Sequence, residues 1–307
     1  MCIDCIMSNM KGEQVNAILS DYDGTLCPTT AVRGNISNGI GKIPQGLEQI
    51  LYRISDRIPV CIISSKDFTF LHERARFANI LSCVLGIETI IHNPHYKNDN
   101  EIDNFDCVRS QHLIASSQSL RDNSELLHNV MKILQNDKSI MIEEKYDSDK
   151  EILIGLTIDY RHLENWQAFK ENTEPDIKEI IQRRMNANLR SNLSSKYRPV
   201  IQTYSSHPFL DVYGVECNKG LAFDNVLSQL EEKEERRTNV LYLGDSENDN
   251  PAFRKSDISV GIHSDTRLNP KLDCKYKINF NQLSLFLSIL IDNDFVFSED
   301  LLSVQVD

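Results

Sequence analysis

The chain has 307 residues, enough for one large domain or two moderate ones, and 40% of them are hydrophobic and 25% charged, as in an ordinary soluble globular protein. A formal net charge of -12 argues against nucleic-acid binding, which needs concentrated positive charge to displace counterions from phosphates. No apolar run is long enough to cross a bilayer, so membrane spanning is set aside as well.

The first residues lack a basic region followed by an apolar one, so no secretory signal is expected and the expected location is cytoplasmic. Eight cysteines spread along the chain fit reduced thiols better than a disulfide framework. Cys2 and Cys5 form a lone C-x-x-C without a second ligand pair and read as a frayed N-terminus.

Residues 15–20 predict a short buried strand, with Asp21-Tyr22-Asp23-Gly24-Thr25 at its carboxyl end. Residues 34–46 are glycine-rich and read as a loop; Gly39-Ile40-Gly41-Lys42 lacks the spacing of a phosphate-cradling loop. Pro44 opens a helix at its first position, with Leu47, Ile50, Leu51 and Ile54 on one face. Residues 58–63 predict a second buried strand, ending at Ser64, and Asp67 caps a helix carrying Phe68, Leu71, Ala75 and Ala78.

The middle of the chain differs. Residues 116–134 predict a long helix, 139–146 and 152–160 two strands joined at Asp147-Ser148-Asp149-Lys150 as an antiparallel hairpin, 176–193 a second helix, and 200–204 a strand. The strand–helix alternation then resumes: a helix over 219–230, a strand over 239–243, a short helix over 251–255, a strand over 258–262, and a closing helix over 283–291. The expected architecture is therefore α/β, a Rossmann-like parallel-sheet core with an inserted α+β module. The core takes residues 1–85 and 206–307, and the insert residues 86–205.

Ligands of open parallel sheets bind beyond the carboxyl ends of the strands, where Asp21, Asp23, Ser64 and Asp245 fall. Any one of these aspartates alone reads as a cap or turn residue; gathered at one sheet edge they repel unless a cation joins them. A hard Mg²⁺ ion, with oxygen ligands and room for phosphate oxygens, is the expected cofactor. A carboxylate beside it can attack phosphorus, and a second one two residues on can manage the leaving group's proton. Gly244-Asp245-Ser246-Glu247-Asn248-Asp249 is not a calcium loop, since Asn250 and Ser256 stand where that loop needs Gly and Glu. The histidines are scattered and suggest no zinc site.

The ordered set resembles the haloacid dehalogenase superfamily of phosphohydrolases. Asp21-Tyr22-Asp23-Gly24-Thr25-Leu26 is similar to its first motif, and the strand ending in Ser64-Ser65-Lys66 to its second. Asn218-Lys219-Gly220 is similar to the third, and Gly244-Asp245-Ser246-Glu247-Asn248-Asp249 to the fourth. The resemblance implies Asp21 as nucleophile, Asp23 as general acid/base, and Ser64 and Lys219 as holders of the transferring phosphoryl group. Gly24, Thr25 and Ser65 would join them around the phosphate. Asp21, Asp23, Asp245 and Asp249 would serve the metal.

The insert resembles the large cap of the sugar-phosphatase branch: trehalose-6-phosphate, sucrose-phosphate and mannosyl-3-phosphoglycerate phosphatases. Glu143-Glu144-Lys145 and Asp159-Tyr160-Arg161 are similar to the Glu-x-Lys and His-Tyr-Arg stretches of trehalose-phosphate phosphatases, with Asp159 in place of the usual His. Lys66, Glu144, Lys145, Arg161 and Asn248 would then contact the sugar; the other possibility for the cap residues is a cross-strand salt bridge on an exposed face. Ser64-Ser65-Lys66 is closer to the mannosylphosphoglycerate form. The expected partner is a small sugar phosphate, trehalose 6-phosphate first and mannosyl- or glucosyl-3-phosphoglycerate second, with the chain a monomer or weak homodimer. A phosphomutase and a catalytically inactive sugar-phosphate-binding module are the alternatives.

Overall fold

The computed structural model describes residues 12–28, 42–91, 110–135, 141–160, 163–189, 198–204, 208–234, 237–263 and 270–302. The elements begin with β1 (Glu13–Gln14), β2 (Ala17–Ser20), α1 (Gln45–Ser55), β3 (Val60–Ile63), α2 (Phe68–Arg74), β4 (Ile80–Cys83), β5 (Glu88–Ile91) and β6 (Ser110–Leu113). The middle holds α3 (Ser117–Leu134), β7 (Met141–Tyr146), β8 (Leu153–Asp159), α4 (Trp166–Leu189), β9 (Val200–Thr203) and β10 (Phe209–Tyr213). The last part holds α5 (Lys219–Glu234), β11 (Val240–Gly244), α6 (Asn250–Phe253), β12 (Ile258–His263), β13 (Tyr276–Asn279), α7 (Phe280–Asp292) and β14 (Val296–Phe297).

An eight-stranded sheet runs β13-β12-β11-β2-β3-β4-β5-β6, parallel from β13 to β4 and antiparallel beyond. Its central strands β2, β3 and β11 are apolar apart from Ser20, because both faces are covered. Ile18, Val60, Ile62, Leu241 and Leu243 pack under α1 and α7, against Leu47, Leu51, Leu287 and Leu290. Leu19, Cys61, Ile63, Val240 and Tyr242 pack on the other face against Ala222, Phe223 and Val226 of α5 and Phe253 of α6. Each buried Leu or Ile of these layers contributes about 1.5–3 kcal/mol, and a charged residue at Leu51 or Leu243 would open the corresponding layer. β2 and β11 are neighbours, yet the helix that follows β2 and the helix that precedes β11 lie on opposite faces. Their carboxyl ends therefore flank a crevice, and Asp21 and Asp245 stand at its two sides.

A second sheet, β7-β8-β10-β9, is antiparallel throughout. α3 and α4 cover one of its faces through Leu126, Leu127, Val130, Ile177 and Ile181 packed on Leu156, Ile158, Leu210 and Val212. The two sheets meet the expected boundaries differently: β5 and β6, beyond residue 86, extend the large sheet, and β10, beyond residue 206, is a strand of the small one. β4 would otherwise offer an unpaired edge, which β5 and β6 cover antiparallel. The chain leaves the small sheet through the short link 214–218, where Gly214 donates to the Ile154 carbonyl and accepts from Asn123 at 2.7 Å.

Other local differences have simple causes. Pro44 is the N-cap of α1, not its first helical residue, since its ψ of 135° is extended. α2 stops at Arg74, leaving Ala75 as its cap and Ala78 outside it. α4 begins ten residues before Asp176, at Trp166, and passes through Pro175. Pro175 lies on the exposed side, where water replaces the hydrogen bond that its ring removes. The segments Met1 to Ile6, 34–41 and 92–109, and with them Cys2, Cys5 and Gly39-Ile40-Gly41, lie outside the described residues. Among the described residues, no helix is long and apolar enough to cross a membrane, and Cys27, Cys61, Cys83, Cys217 and Cys274 are free thiols.

Candidate active site

Strand geometry delivers the first acidic pair. β2 ends at Ser20, and the Asp21 N–H donates to the Leu243 carbonyl of β11 at 2.9 Å. The chain then turns tightly: Gly24 donates to the Cys27 carbonyl at 2.7 Å, and Asp23 bridges to Cys27. Gly24 has φ +83°, and a Cβ there would lie 1.9 Å from Asp245 Oδ2, so only glycine lets the loop come this close to the second acidic cluster. Thr25, fully buried, donates to Asp245 Oδ1 at 3.4 Å.

Lys219 opens α5 and is buried between carboxylates, its Nζ 2.9 Å from Asp21 Oδ1 and 2.7 Å from Asp249 Oδ1. A cation opposes the dipole at a helix start, and these two anions offset that cost. Asp249 is fully buried and saturated. Its Oδ1 accepts from Lys219 and from the Tyr242 hydroxyl at 2.7 Å each. Its Oδ2 accepts from the Asp245 N–H at 3.2 Å, the Ser246 N–H at 3.0 Å and the Ser246 hydroxyl at 3.1 Å. The Ser246 hydroxyl also lies 2.7 Å from Asn248 Oδ1, so its one proton is shared between Asn248 and Asp249, and Asn248 is folded into its own loop.

Asp21, Asp245 and Asp249 each place an oxygen within 4.8 Å of the others. Burial, repulsion from Asp249 and repulsion from Asp23 push the Asp21 carboxyl up to about 7, against the opposing pull of Lys219. Burial and repulsion from Asp21 and Asp249 raise Asp245 well above the usual carboxylate range. So crowded a set, facing one ammonium, suits a hard divalent cation. Five donors meet the two oxygens of Asp249, which fits it to support the metal loop. Asp21 and Asp245 could offer a cation their carboxylate oxygens directly.

Ser64, buried at the end of β3, accepts from the Lys66 N–H at 3.2 Å; Ser65 is half-buried beside it. A left-handed turn supports this loop. Val84 and Leu85, with φ of 47° and 55°, donate to the Lys66 and Ser64 carbonyls at 2.9 Å each. Each such residue costs about 1–2 kcal/mol. Gly86 follows at φ +88°, and a Cβ on it would strike Ala222 of α5 at 2.7 Å. The turn thereby wedges the Ser64 loop against the helix that carries Lys219.

The small sheet presents a polar row across its uncovered face. Glu143, Thr157, Asp211 and Gln202 are successive ladder partners. Lys66 joins the row to the core, donating to both Glu143 oxygens at 2.9 and 3.0 Å, and Lys145 donates to Glu143 at 3.0 Å. Burial acts to raise the Glu143 pKa, but the ammoniums of Lys145 and Lys66 hold it down at about 2. Gln202 donates to the Cys217 carbonyl just before Lys219, and Tyr204 donates to Gln202 at 3.1 Å. The row therefore looks onto the catalytic floor.

The sequence reading chose Glu144 beside Lys145, but alternate strand residues face opposite ways. Glu144 lies in register with Leu156 on the helix-covered side and accepts from Tyr146 at 2.6 Å, while Glu143 shares the face of Lys145. Arg161 lies outside the described residues. Asp211, Thr157, Gln202, Tyr204 and Tyr242 were not anticipated. Asp211, buried and hydrogen-bonded by Thr157, has its carboxyl raised, first by burial. A lone acidic residue in the apolar run Phe209 to Tyr213 was the available signal.

The profile of haloacid dehalogenase-like hydrolases matches residues 18–268. No curated protein sequence matches significantly. Among solved structures, the trehalose-6-phosphate phosphatase C-terminal domain of C. albicans is similar, with 18% identity, a TM-score of 0.57, and 91% of this chain and 92% of that one covered. The trehalose-6-phosphate phosphatase of Aspergillus fumigatus is 18% identical with a TM-score of 0.54, covering 91% and 94%. The HAD subclass IIB sugar phosphatase BT4131 is 13% identical with a TM-score of 0.52, covering 92% and 100%. At these identities the likeness is one of fold.

Proposed function

Given that the chain belongs to the haloacid dehalogenase-like hydrolases, we propose that it is a Mg²⁺-dependent phosphomonoesterase that hydrolyses a sugar phosphate through a phosphorylated Asp21. One observation carries the reading: Asp21, with Lys219 2.9 Å away, stands at the switch point of the large sheet under the polar row of the small one. The Asp21 carboxylate attacks phosphorus, and the bond from phosphorus to the sugar oxygen breaks. Asp23 gives that oxygen a proton, then takes one from the water that attacks the aspartyl-phosphate, releasing phosphate and restoring Asp21. Lys219 screens Asp21 from the incoming phosphate, and the Ser64 hydroxyl donates to a phosphoryl oxygen. Mg²⁺ held by Asp21, Asp245 and the main-chain oxygen of Asp23 would supply charge stabilisation to the phosphoryl group.

The row on the small sheet supports a sugar as the leaving group. Glu143 and Asp211 are acceptors for hydroxyls, and Gln202 and Lys145 offer donors, while the Thr157 proton is held by Asp211. The trehalose-6-phosphate phosphatases among similar folds support trehalose 6-phosphate as the first substrate to test. The free thiols support a reducing, cytoplasmic setting.

The test is phosphate release, with and without Mg²⁺, from trehalose 6-phosphate, sucrose 6-phosphate, mannosyl-3-phosphoglycerate and hexose phosphates. Mg²⁺-dependent release from trehalose 6-phosphate above the rest is expected. Preference for mannosyl-3-phosphoglycerate would overturn the substrate, and no release from any would overturn the function.

A further inference from the structure

Tyr242 lies on β11, three residues before Asp245, and is fully buried. Its ring is held by edge contacts to Phe253 and Phe223, with centroids 5.4 and 6.2 Å away. A buried phenol can satisfy its hydroxyl on many groups, yet this one donates at 2.7 Å to Asp249 Oδ1, the same oxygen that accepts from Lys219. We propose that Tyr242 is a positioning residue for phosphoryl transfer, acting through Asp249 to set where the Lys219 ammonium sits. The proposal rests on the phosphatase reading, though not on which sugar is used.

The geometry is a division of labour on one carboxylate. Oδ2 is taken by the loop, through Asp245 N–H, Ser246 N–H and the Ser246 hydroxyl. Oδ1 is shared by Tyr242 and Lys219. An ammonium has three protons: one points at Asp21, one at Asp249, and the third is left for a phosphoryl oxygen. Two anions thus compete for Lys219. The phenol draws charge from Oδ1 and weakens its pull, which leaves the ammonium shared with Asp21 and with the incoming phosphate. Without the hydroxyl, Oδ1 turns to Lys219 alone, and Lys219 withdraws from Asp21 toward Asp249. The three donors on Oδ2 persist, so the loop that presents Asp245 stays in place.

Tyr242→Phe removes the hydroxyl and keeps the ring. With p-nitrophenyl phosphate, whose leaving group needs no cap contacts, kcat should fall about tenfold with KM within about twofold, the change expected for one hydrogen bond to a charged group. The inhibition constant of orthovanadate, a mimic of the transferring phosphoryl group, should rise by a similar factor. Mg²⁺ affinity by calorimetry should stay within about twofold, a range too small to count as a lost ligand. Phe223→Leu, which loosens the same ring without touching the hydroxyl, should lower Tm without this pattern. Unchanged kcat and vanadate inhibition in Tyr242→Phe would overturn the positioning role. So would Mg²⁺ affinity falling in step with kcat, which marks general loosening of the loop. A wild-type protein that releases no phosphate overturns the phosphatase reading along with it, whereas an active wild type matched by Tyr242→Phe overturns the positioning alone.

Discussion

Replacing Lys219 by Met removes the ammonium that lies against two buried carboxylates. The side chain is 1% exposed, and Met has nearly its length and volume, so the loss is electrostatic. Two charge-assisted hydrogen bonds disappear, at 2.9 Å to Asp21 and 2.7 Å to Asp249, and the two carboxylates are left facing each other. Removing one partner of a buried ion pair costs about 3–5 kcal/mol. For a chain of this size that is a fall in Tm of roughly 6–20 °C. Thermal unfolding followed by circular dichroism in metal-free buffer measures it. Lys219→Met/Asp249→Asn should regain most of the loss, because the carboxylate stripped of its cation becomes a neutral amide that still accepts from Tyr242 or the loop. Neither variant should release phosphate, since both lack the ammonium. The reasoning is refuted if Lys219→Met melts within about 2 °C of wild type, which would put the cost below about 1 kcal/mol. It is also refuted if the double variant is no more stable than the single.

Asp21→Asn removes the nucleophile and one of the repelling carboxylates, so phosphate release should vanish while Tm holds or rises; turnover in this variant would displace Asp21 from its role. Gly24→Ala puts a methyl 1.9 Å from Asp245 Oδ2 at a φ of +83°. Calorimetry should then show Mg²⁺ affinity at least about tenfold weaker, about 1.4 kcal/mol, with unchanged affinity showing that the loop relaxes freely. Glu143 has a lowered pKa in the fold, so its contribution to pairing the small sheet with Lys66 is complete above pH 4.5 and lost as pH falls toward about 2. X-ray scattering between pH 6 and pH 3 should show expansion that Glu143→Gln, already unpaired at pH 6, does not repeat. An identical transition in both would assign it to other carboxylates.

The core was legible because its chemistry rides on short local segments. Asp21, Ser64 and Asp245 each follow an apolar strand directly, and a strand that reads as buried fixes where its next residue emerges. The small sheet was harder, since its polar face is assembled by register. That Asp211 joins Glu143 and Thr157 in one row depends on pairing it with Thr157, 54 positions away, for which no local pattern speaks. The choice of Glu144 over Glu143 failed for the same reason: two adjacent acids differ only in the side of the strand they take. β10 was missed because five residues carrying a buried acid resemble neither a clean alternation nor a wholly apolar run. The donors gathered on Asp249 were not legible, because composition shows an anion and hides what is bonded to it. Tyr242 was hidden inside an apolar strand whose other members are all core.

The link 214–218 has a mechanical meaning. It spans five residues between β10 and α5, and its Val215 and Cys217 are buried in the core. Fully stretched, six such steps reach only about 20 Å. The small sheet is therefore leashed at β10 and β9, next to Lys219, while β7 is the far edge. Any opening about this link would lift Glu143 from Lys66 more than it would move Asp211. A guest would then enter past the Lys66–Glu143 clasp, and Asp211, beside the leash, would be the part of the row that stays with Lys219.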